Sequence, residues 1–170
     1  YKGLEVAKHF ADYCKKYHQL NVDSSSLEDE TDDQYDLITM FDVLEHLADP
    51  VSVFNTLNSK LKSGGYCVAY TPNVRSVGYE LMGAKQNTML PFEHLCFFDK
   101  KSLDYLASMT GFEVELVETY GLDVMDYLLM KEYEDGVNYT DSLSDMTSLL
   151  QSILDKFNIS NHFRITFKKK

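Results

Sequence analysis

The sequence predicts an α/β domain built on a mostly parallel sheet, and three observations predict it. Short apolar runs that read as strands alternate with stretches whose apolar residues recur every three or four positions, as in helices. The run Tyr35-Asp36-Leu37-Ile38-Thr39-Met40-Phe41 is nearly continuous in apolar residues, as a central strand covered on both faces should be. Acids close three candidate strands, at Glu5, Asp23 and Asp42, and open α/β sheets bind their ligands at that carboxyl edge.

The elements follow in order. Residues 1 to 6 read as a short buried strand. Ala7, Phe10, Ala11, Cys14 and Tyr17 then share one face of an amphipathic helix, with Lys8, Asp12, Lys15 and Lys16 opposite. Leu20 to Val22 is a brief strand, and the acidic stretch that follows has no period and reads as loop. After the strand at 35 to 41, Asp49-Pro50 marks a helix start, with the acid at the N-cap and proline where its missing N–H costs nothing. Val51, Phe54, Leu57 and Leu61 form its buried stripe, and Ser63-Gly64-Gly65 is expected to end it by supplying positive φ.

Tyr66 to Tyr70 is the next strand, and residues 74–98 form an irregular segment over a binding face. Residues 100 to 110 read as a helix with Leu103, Leu106 and Ala107 inward, stopped by Gly111. Residues 112 to 119 read as a strand with Phe112, Val114, Leu116 and Val117 in the core. Two helical stretches, 123 to 134 and 141 to 157, make residues 121–160 a helical addition. On the second, Leu143, Met146, Leu149, Leu150, Ile153 and Leu154 share a face. His162 to Phe167 is a last strand that can run antiparallel.

Composition bounds the function. The 170 residues fit one domain, 1–170, and 44% hydrophobic with 25% charged residues suffices for a core. A net charge of −11 repels phosphate backbones and anionic lipid, so no nucleic acid is expected as partner. Lys168-Lys169-Lys170 reads as a solubilising tail. Cys14, Cys67 and Cys96 are unclustered, which suggests a reducing, cytoplasmic setting with neither a disulfide framework nor a zinc knuckle. No apolar run approaches the roughly 20 residues that span a bilayer. The triplets Asn138-Tyr139-Thr140 and Asn158-Ile159-Ser160 read as chance matches to the glycosylation pattern.

An acid closing a strand can accept both hydroxyls of a ribose, and one closing a neighbouring strand can accept from an adenine amino group. Singly, such acids are as well explained as helix N-caps. The segment from Tyr35 to Pro50, with Asp42-Val43-Leu44-Glu45-His46 at its centre, is more specific. It resembles the fourth-strand motif of class I S-adenosylmethionine (SAM) dependent methyltransferases, in the subgroup with the ubiquinone-biosynthesis O-methyltransferases. Leu61-Lys62-Ser63-Gly64-Gly65 resembles the turn before strand five, with Ser63 in place of the usual proline. Thr71-Pro72-Asn73 resembles the end of that strand. Pro91 to Phe98, then Ser102-Leu103 and Thr110-Gly111-Phe112, match the segments after it.

The resemblance covers about residues 1 to 120 and implies a Rossmann-like methyltransferase sheet. It implies that Glu5 grips the ribose of SAM and that Asp23 with the backbone of Ser24 lies by the adenine. Phe41 and Asp42 would border the methionine half, with His46 and His94 facing a small-molecule acceptor. The family's first strand and glycine-rich loop have no counterpart in these residues, so a partial domain truncated before the second strand is expected. Exposed sheet edges in such a domain would favour a homodimer.

Asp42, Glu45 and His46 have the spacing that brings side chains to one face of a helical turn. With His94 they read as a Mg²⁺ or other divalent-metal site, as some relatives use. Alternatively, His46 or His94 is a general base, or these residues only shape the pocket. Tyr79 and Phe92 are candidates for the acceptor pocket. The expected reaction is methyl transfer from SAM, with an oxygen acceptor favoured. Two other readings are a non-catalytic methyltransferase-like binding module and a nicotinamide-dependent oxidoreductase, although no G-x-G-x-x-G is present.

Overall fold

The computed structural model describes residues 1–170, and they form two sheets. Strand β1 (Gly3–Leu4), helix α1 (Lys8–His18) and strand β2 (Val22–Asp23) make a small parallel unit, with Gly3 opposite Val22 and Leu4 opposite Asp23. Then come β3 (Tyr35–Phe41), α2 (Pro50–Lys60), β4 (Leu61–Pro72), α3 (Val77–Met82), α4 (Lys100–Met109) and β5 (Phe112–Tyr120). Helices α5 (Asp123–Asp135), α6 (Tyr139–Ser142) and α7 (Ser144–Lys156) lead to β6 (His162–Lys169). The larger sheet has the order β3-β4-β6-β5. Strands β3, β4 and β5 run one way and β6 alone runs the other, as the sequence allowed.

One face of that sheet carries the core. Met40, Cys67, Ala69, Phe163, Ile165, Phe167 and Phe112 pack against Phe54 and Leu57 of α2 and Leu103, Leu106 and Ala107 of α4. The rings of Phe54, Phe112 and Phe167 meet edge to face, the geometry aromatic quadrupoles prefer. Both helices start as the sequence predicts. Asp49 Oδ1 accepts from Ser52 N at 3.0 Å with Pro50 in the first turn. Asp99 and Ser102 form a reciprocal capping box.

Several expectations are corrected. Residues 1 to 6 are not a buried strand, since β1 has only two residues and Val6 is 95% exposed. Only Ala11 of α1 is buried, and Phe10 and Tyr17 face outward because the helix packs on little beyond β2. The strand at 35 to 41 is an edge strand covered on one face, with Leu37 and Phe41 exposed on the other. Its continuous apolar run therefore does not mean two covered faces here.

Gly64 does not end α2. That helix stops at Leu61, already extended, and Gly64, with φ 74°, lies inside β4, where the pairing with β3 jumps from Leu61 to Tyr66. A Cβ at Gly65 would lie 2.9 Å from Lys62 O and 3.2 Å from Asp36 O, so this irregularity needs glycine. In β5 an extra residue at Glu115 shifts the register between Val114 and Leu116. Because side chains alternate with period two, that one residue turns Leu116 out and Val117 in.

The stretch 141 to 157 is two helices, with its apolar face half open to solvent rather than in the core. Its Leu150 and Leu154, with Val77, Leu81, Val124 and Leu128, line an apolar cleft of about 370 Å³ between α3, α5 and α7. The segment 74–98 is less irregular than expected, since it contains α3 and a short 3₁₀ turn.

Candidate functional site

The carboxyl ends of β3 and β4 define one edge of the large sheet, and the site is built there. β3 ends at Phe41, and Asp42 takes the left-handed conformation with φ 52°, which lets the chain turn sharply. Asp42 N still donates to Tyr70 O, and its carboxylate has no partner in the protein. The turn continues as a 3₁₀ helix, Leu44–His46, in which Leu44 anchors in the core and Glu45 is only 2% exposed.

Glu45 joins three elements. Its carbonyl accepts from Leu95 N and Cys96 N at 2.8 and 2.9 Å, and Oε2 accepts from Thr71 Oγ1 of β4 at 2.9 Å. The first pair brings the segment containing His94 against the turn containing His46. The two imidazoles then meet edge to face, with centroids 4.8 Å apart. His46 Nδ1 lies 2.8 Å from Glu93 O, and His94 Nδ1 lies 2.8 Å from Thr88 O. A carbonyl can only accept, so each neutral ring carries its proton on Nδ1 and leaves Nε2 with a free lone pair. Thr88 is itself fixed by Gln86, whose Oε1 accepts from the Thr88 backbone and hydroxyl, while Gln86 Nε2 is buried without a partner.

One ligand atom from each of Glu45, His46 and His94 lies within 4.8 Å of the other two. Two imidazole nitrogens and a carboxylate oxygen suit a divalent transition metal. A carbonyl partner on the far ring nitrogen is the usual support of a metal-bound histidine. Asp42, which the sequence groups with them, is outside this cluster.

The residues expected to hold a nucleoside are brought together only in part. β1 and β2 are bonded to each other and not to β3. Glu5 accepts from Ala7 N through Oε1 at 2.8 Å and keeps its second oxygen free. Asp23 is engaged by Lys15 at 2.7 Å and Lys2 at 3.4 Å, and these ammonium groups, Lys15 first, hold its carboxyl below the usual range. Phe41 is exposed beside Asp42. Phe92 is 99% exposed, and Tyr79 is partly buried with its hydroxyl 3.0 Å from Met89 Sδ.

A group of residues that the sequence reading missed completes the edge. Asp123 is buried at the start of α5 and accepts from Gly78 N, Asn161 N and Gln151 Nε2. Asn161 in turn donates to Asp126 and places Oδ1 2.9 Å from His162 Nδ1. The His162 ring stacks on Tyr70, with centroids 4.8 Å apart and planes 4° apart. Burial lowers the pKa of His162, partly offset by the charges of Asp42, Glu45 and Asp123. Burial, then Asp42 and Asp155, raise that of Tyr70. Unlike the candidate acids, which end strands, Asn161 and His162 lie at the start of one. An antiparallel strand brings its first residue to that same edge, and the expected reversal of the last strand was the available signal.

Comparison with known proteins adds a family and a fold. The family described as methyltransferase domain matches residues 5–117. A ubiquinone biosynthesis O-methyltransferase from Nitrosomonas europaea is 27% identical over 145 residues, covering 81% of this chain and 62% of that protein. Another, from Marinobacter nauticus, is 34% identical over 71 residues, covering 41% of this chain and 30% of that one. The chain thus spans less than two thirds of either relative. The crystal structure of a SAM-dependent methyltransferase from Thermotoga maritima superposes with a TM-score of 0.67 at 19% identity, over 99% of this chain and 72% of that one.

Proposed function

The chain belongs to the class I SAM-dependent methyltransferases, and from that membership we propose that it methylates a hydroxyl of a small-molecule acceptor held at Glu45, His46 and His94. The observation that carries the reading is the cluster itself. Two imidazoles, each tied to a carbonyl through Nδ1, and a buried carboxylate bring one ligand atom apiece within 4.8 Å of one another in and beside the turn that follows β3.

The donor set fits a divalent ion, and Glu45, His46 and His94 would hold it. When bound, such an ion polarises an acceptor hydroxyl and eases its ionisation. An acceptor with adjacent hydroxyls, as in a catechol, would suit such a site, with Glu45, His46 and His94 as the residues that hold the ion. The cofactor's residues would be Glu5 at the ribose, Asp23 and the Ser24 backbone at the adenine, and Phe41 with Asp42 at the methionine half. The free carboxylate of Asp42, held in a left-handed turn beside the exposed Phe41 ring, fits a ligand with a cationic end. SAM, when bound, supplies an already activated methyl group. The side chains then align acceptor and donor and exclude water. The names of the relatives support the oxygen acceptor.

The lone pairs on Nε2 support a second, metal-free reading in which His94 takes the hydroxyl proton. Calorimetry with S-adenosylhomocysteine (SAH) and with Mn²⁺, and methyl transfer to 3,4-dihydroxybenzoate with and without EDTA, test these statements. SAH binding, Mn²⁺ binding and EDTA-sensitive transfer are expected. EDTA-insensitive transfer would favour the His94 base, and absence of SAH binding would leave a non-catalytic binding module.

A further inference from the structure

We infer that His162 is the proton acceptor for the acceptor hydroxyl, a role that rests on the methyl-transfer reading and adds a residue that it does not contain. His162 opens β6, directly opposite Pro72 at the end of β4. The neighbouring Thr71 is the residue that bonds Glu45. The antiparallel strand therefore places this imidazole at the same sheet edge as the cluster.

Two contacts fix the ring, and two hydrogen bonds fix the residue that orients it. Tyr70 stacks on it in parallel at 4.8 Å. Asn161 Oδ1 accepts a hydrogen bond from His162 Nδ1–H at 2.9 Å. The Asn161 backbone N–H is held by the buried Asp123 at 2.9 Å, and its amide Nδ2 donates to Asp126 at 3.1 Å. An amide oxygen can only accept, so the neutral ring carries its proton on Nδ1 and offers the Nε2 lone pair, which has no protein partner. The amide orientation is itself set by Nδ2 donating to a carboxylate, so the tautomer follows from the chain Asp126, Asn161, His162.

The titratable groups that act on the ring are the carboxylates of Asp42 at the end of β3, Glu45 in the 3₁₀ turn and Asp123 in α5, together with the imidazole of His94 in the segment before α4. Burial keeps the ring neutral at pH 7, and the carboxylates favour the imidazolium once it forms. That combination suits a base. His46 and His94 belong to the cluster that would hold a metal, and an imidazole nitrogen bound to a metal has no lone pair left to accept a proton.

The step balances without another reactant. The acceptor oxygen forms the new C–O bond as the S–CH₃ bond breaks, its electron pair returning to sulfur to give a thioether. The hydroxyl proton passes to His162 Nε2, and the imidazolium releases it to water afterwards.

Long-range ¹H–¹⁵N NMR of the intact chain, labelled in histidine, reads the proposal without turnover. Expected are a His162 Nδ1–H tautomer at pH 7.5 and a moved Nε2 resonance when SAH and 3,4-dihydroxybenzoate are added together. His162→Asn keeps a donor to Asn161 and His162→Phe keeps the stack on Tyr70. Each should bind SAH within twofold of wild type and lose about 100-fold in kcat at pH 7, recovering in part with added imidazole. An Nε2–H tautomer, an Nε2 resonance unmoved by the probe while SAH binds, or variants with wild-type kcat would overturn the role of His162 alone. Failure of the wild-type chain to bind SAH would overturn the methyl-transfer reading and this inference with it. If the variants do not fold, the wild-type spectra still decide.

Discussion

Thr71 donates its hydroxyl to the buried carboxylate of Glu45 at 2.9 Å, joining the end of β4 to the turn that follows β3. Both partners are almost wholly buried, so removing one leaves the other desolvated. Thr71→Val keeps the shape and deletes the donor. It should cost about 1–3 kcal/mol in urea unfolding and weaken Mn²⁺ binding about 10–100-fold. An unchanged Mn²⁺ affinity would separate this bond from the ligand site.

Glu45→Gln and His94→Asn each remove one ligand from the cluster, which comprises three residues. Mn²⁺ binding, followed by electron paramagnetic resonance, should fall below detection in both. SAH affinity should stay within twofold, because neither residue belongs to the proposed cofactor side. Retention of Mn²⁺ by both variants would rule this cluster out.

Gly121 lies against the Asn161 side chain, and a Cβ there would come within 2.0 Å of Asn161 Oδ1 and 2.8 Å of Asp123 Oδ2. Neither neighbour can retreat without breaking the bonds that orient His162. Gly121→Ala should therefore destabilise the fold by about 1–3 kcal/mol and disturb the His162 tautomer. A variant with wild-type stability and an unaltered spectrum would contradict the packing described.

The lowered pKa of His162 predicts a pH dependence of stability. The unfolded chain binds a proton near the ordinary value of 6.5, and the folded chain resists it. Below about pH 6.5 the unfolded state therefore holds more protons, and stability falls as pH drops towards the folded pKa. His162→Phe should remove that part of the slope between pH 7 and 5, measured by urea midpoints at each pH. A slope equal to wild type would show that His162 titrates as in the unfolded chain.

Asp99 caps α4 by accepting from Ser102 N at 2.8 Å, and that bond holds its carboxyl below the usual range. The stabilisation is present above the unfolded value of 3.8 and is lost as pH falls through the folded one. Asp99→Ala should cost about 1 kcal/mol at neutral pH, and little at a pH low enough to protonate the wild-type residue. Equal costs at both would mean the charge is not what caps the helix.

The sequence by itself determined the elements whose cause is local. The cap at Asp49, the stop at Gly111 and the stripe of Phe54 and Leu57 need only neighbours along the chain, and so does the alternation that gives the α/β class. The Glu45, His46 and His94 grouping was legible because two of the three are adjacent and the family motif supplied the third. The nicotinamide alternative gave way to the family membership. Only tertiary structure decided which strand stands at an edge, because an apolar run is the same whether one face or both are covered. It also decided that the Glu115 bulge turns Leu116 outward and that Asp42 stands apart from the cluster. His162 became visible in the same way. Its position depends on a strand running backwards between β4 and β5 and on the hydrogen bond that its neighbour Asn161 donates from its backbone N–H to Asp123, 38 residues before Asn161. Such long-range pairings are set by the packing of the whole chain and leave no periodic trace in it.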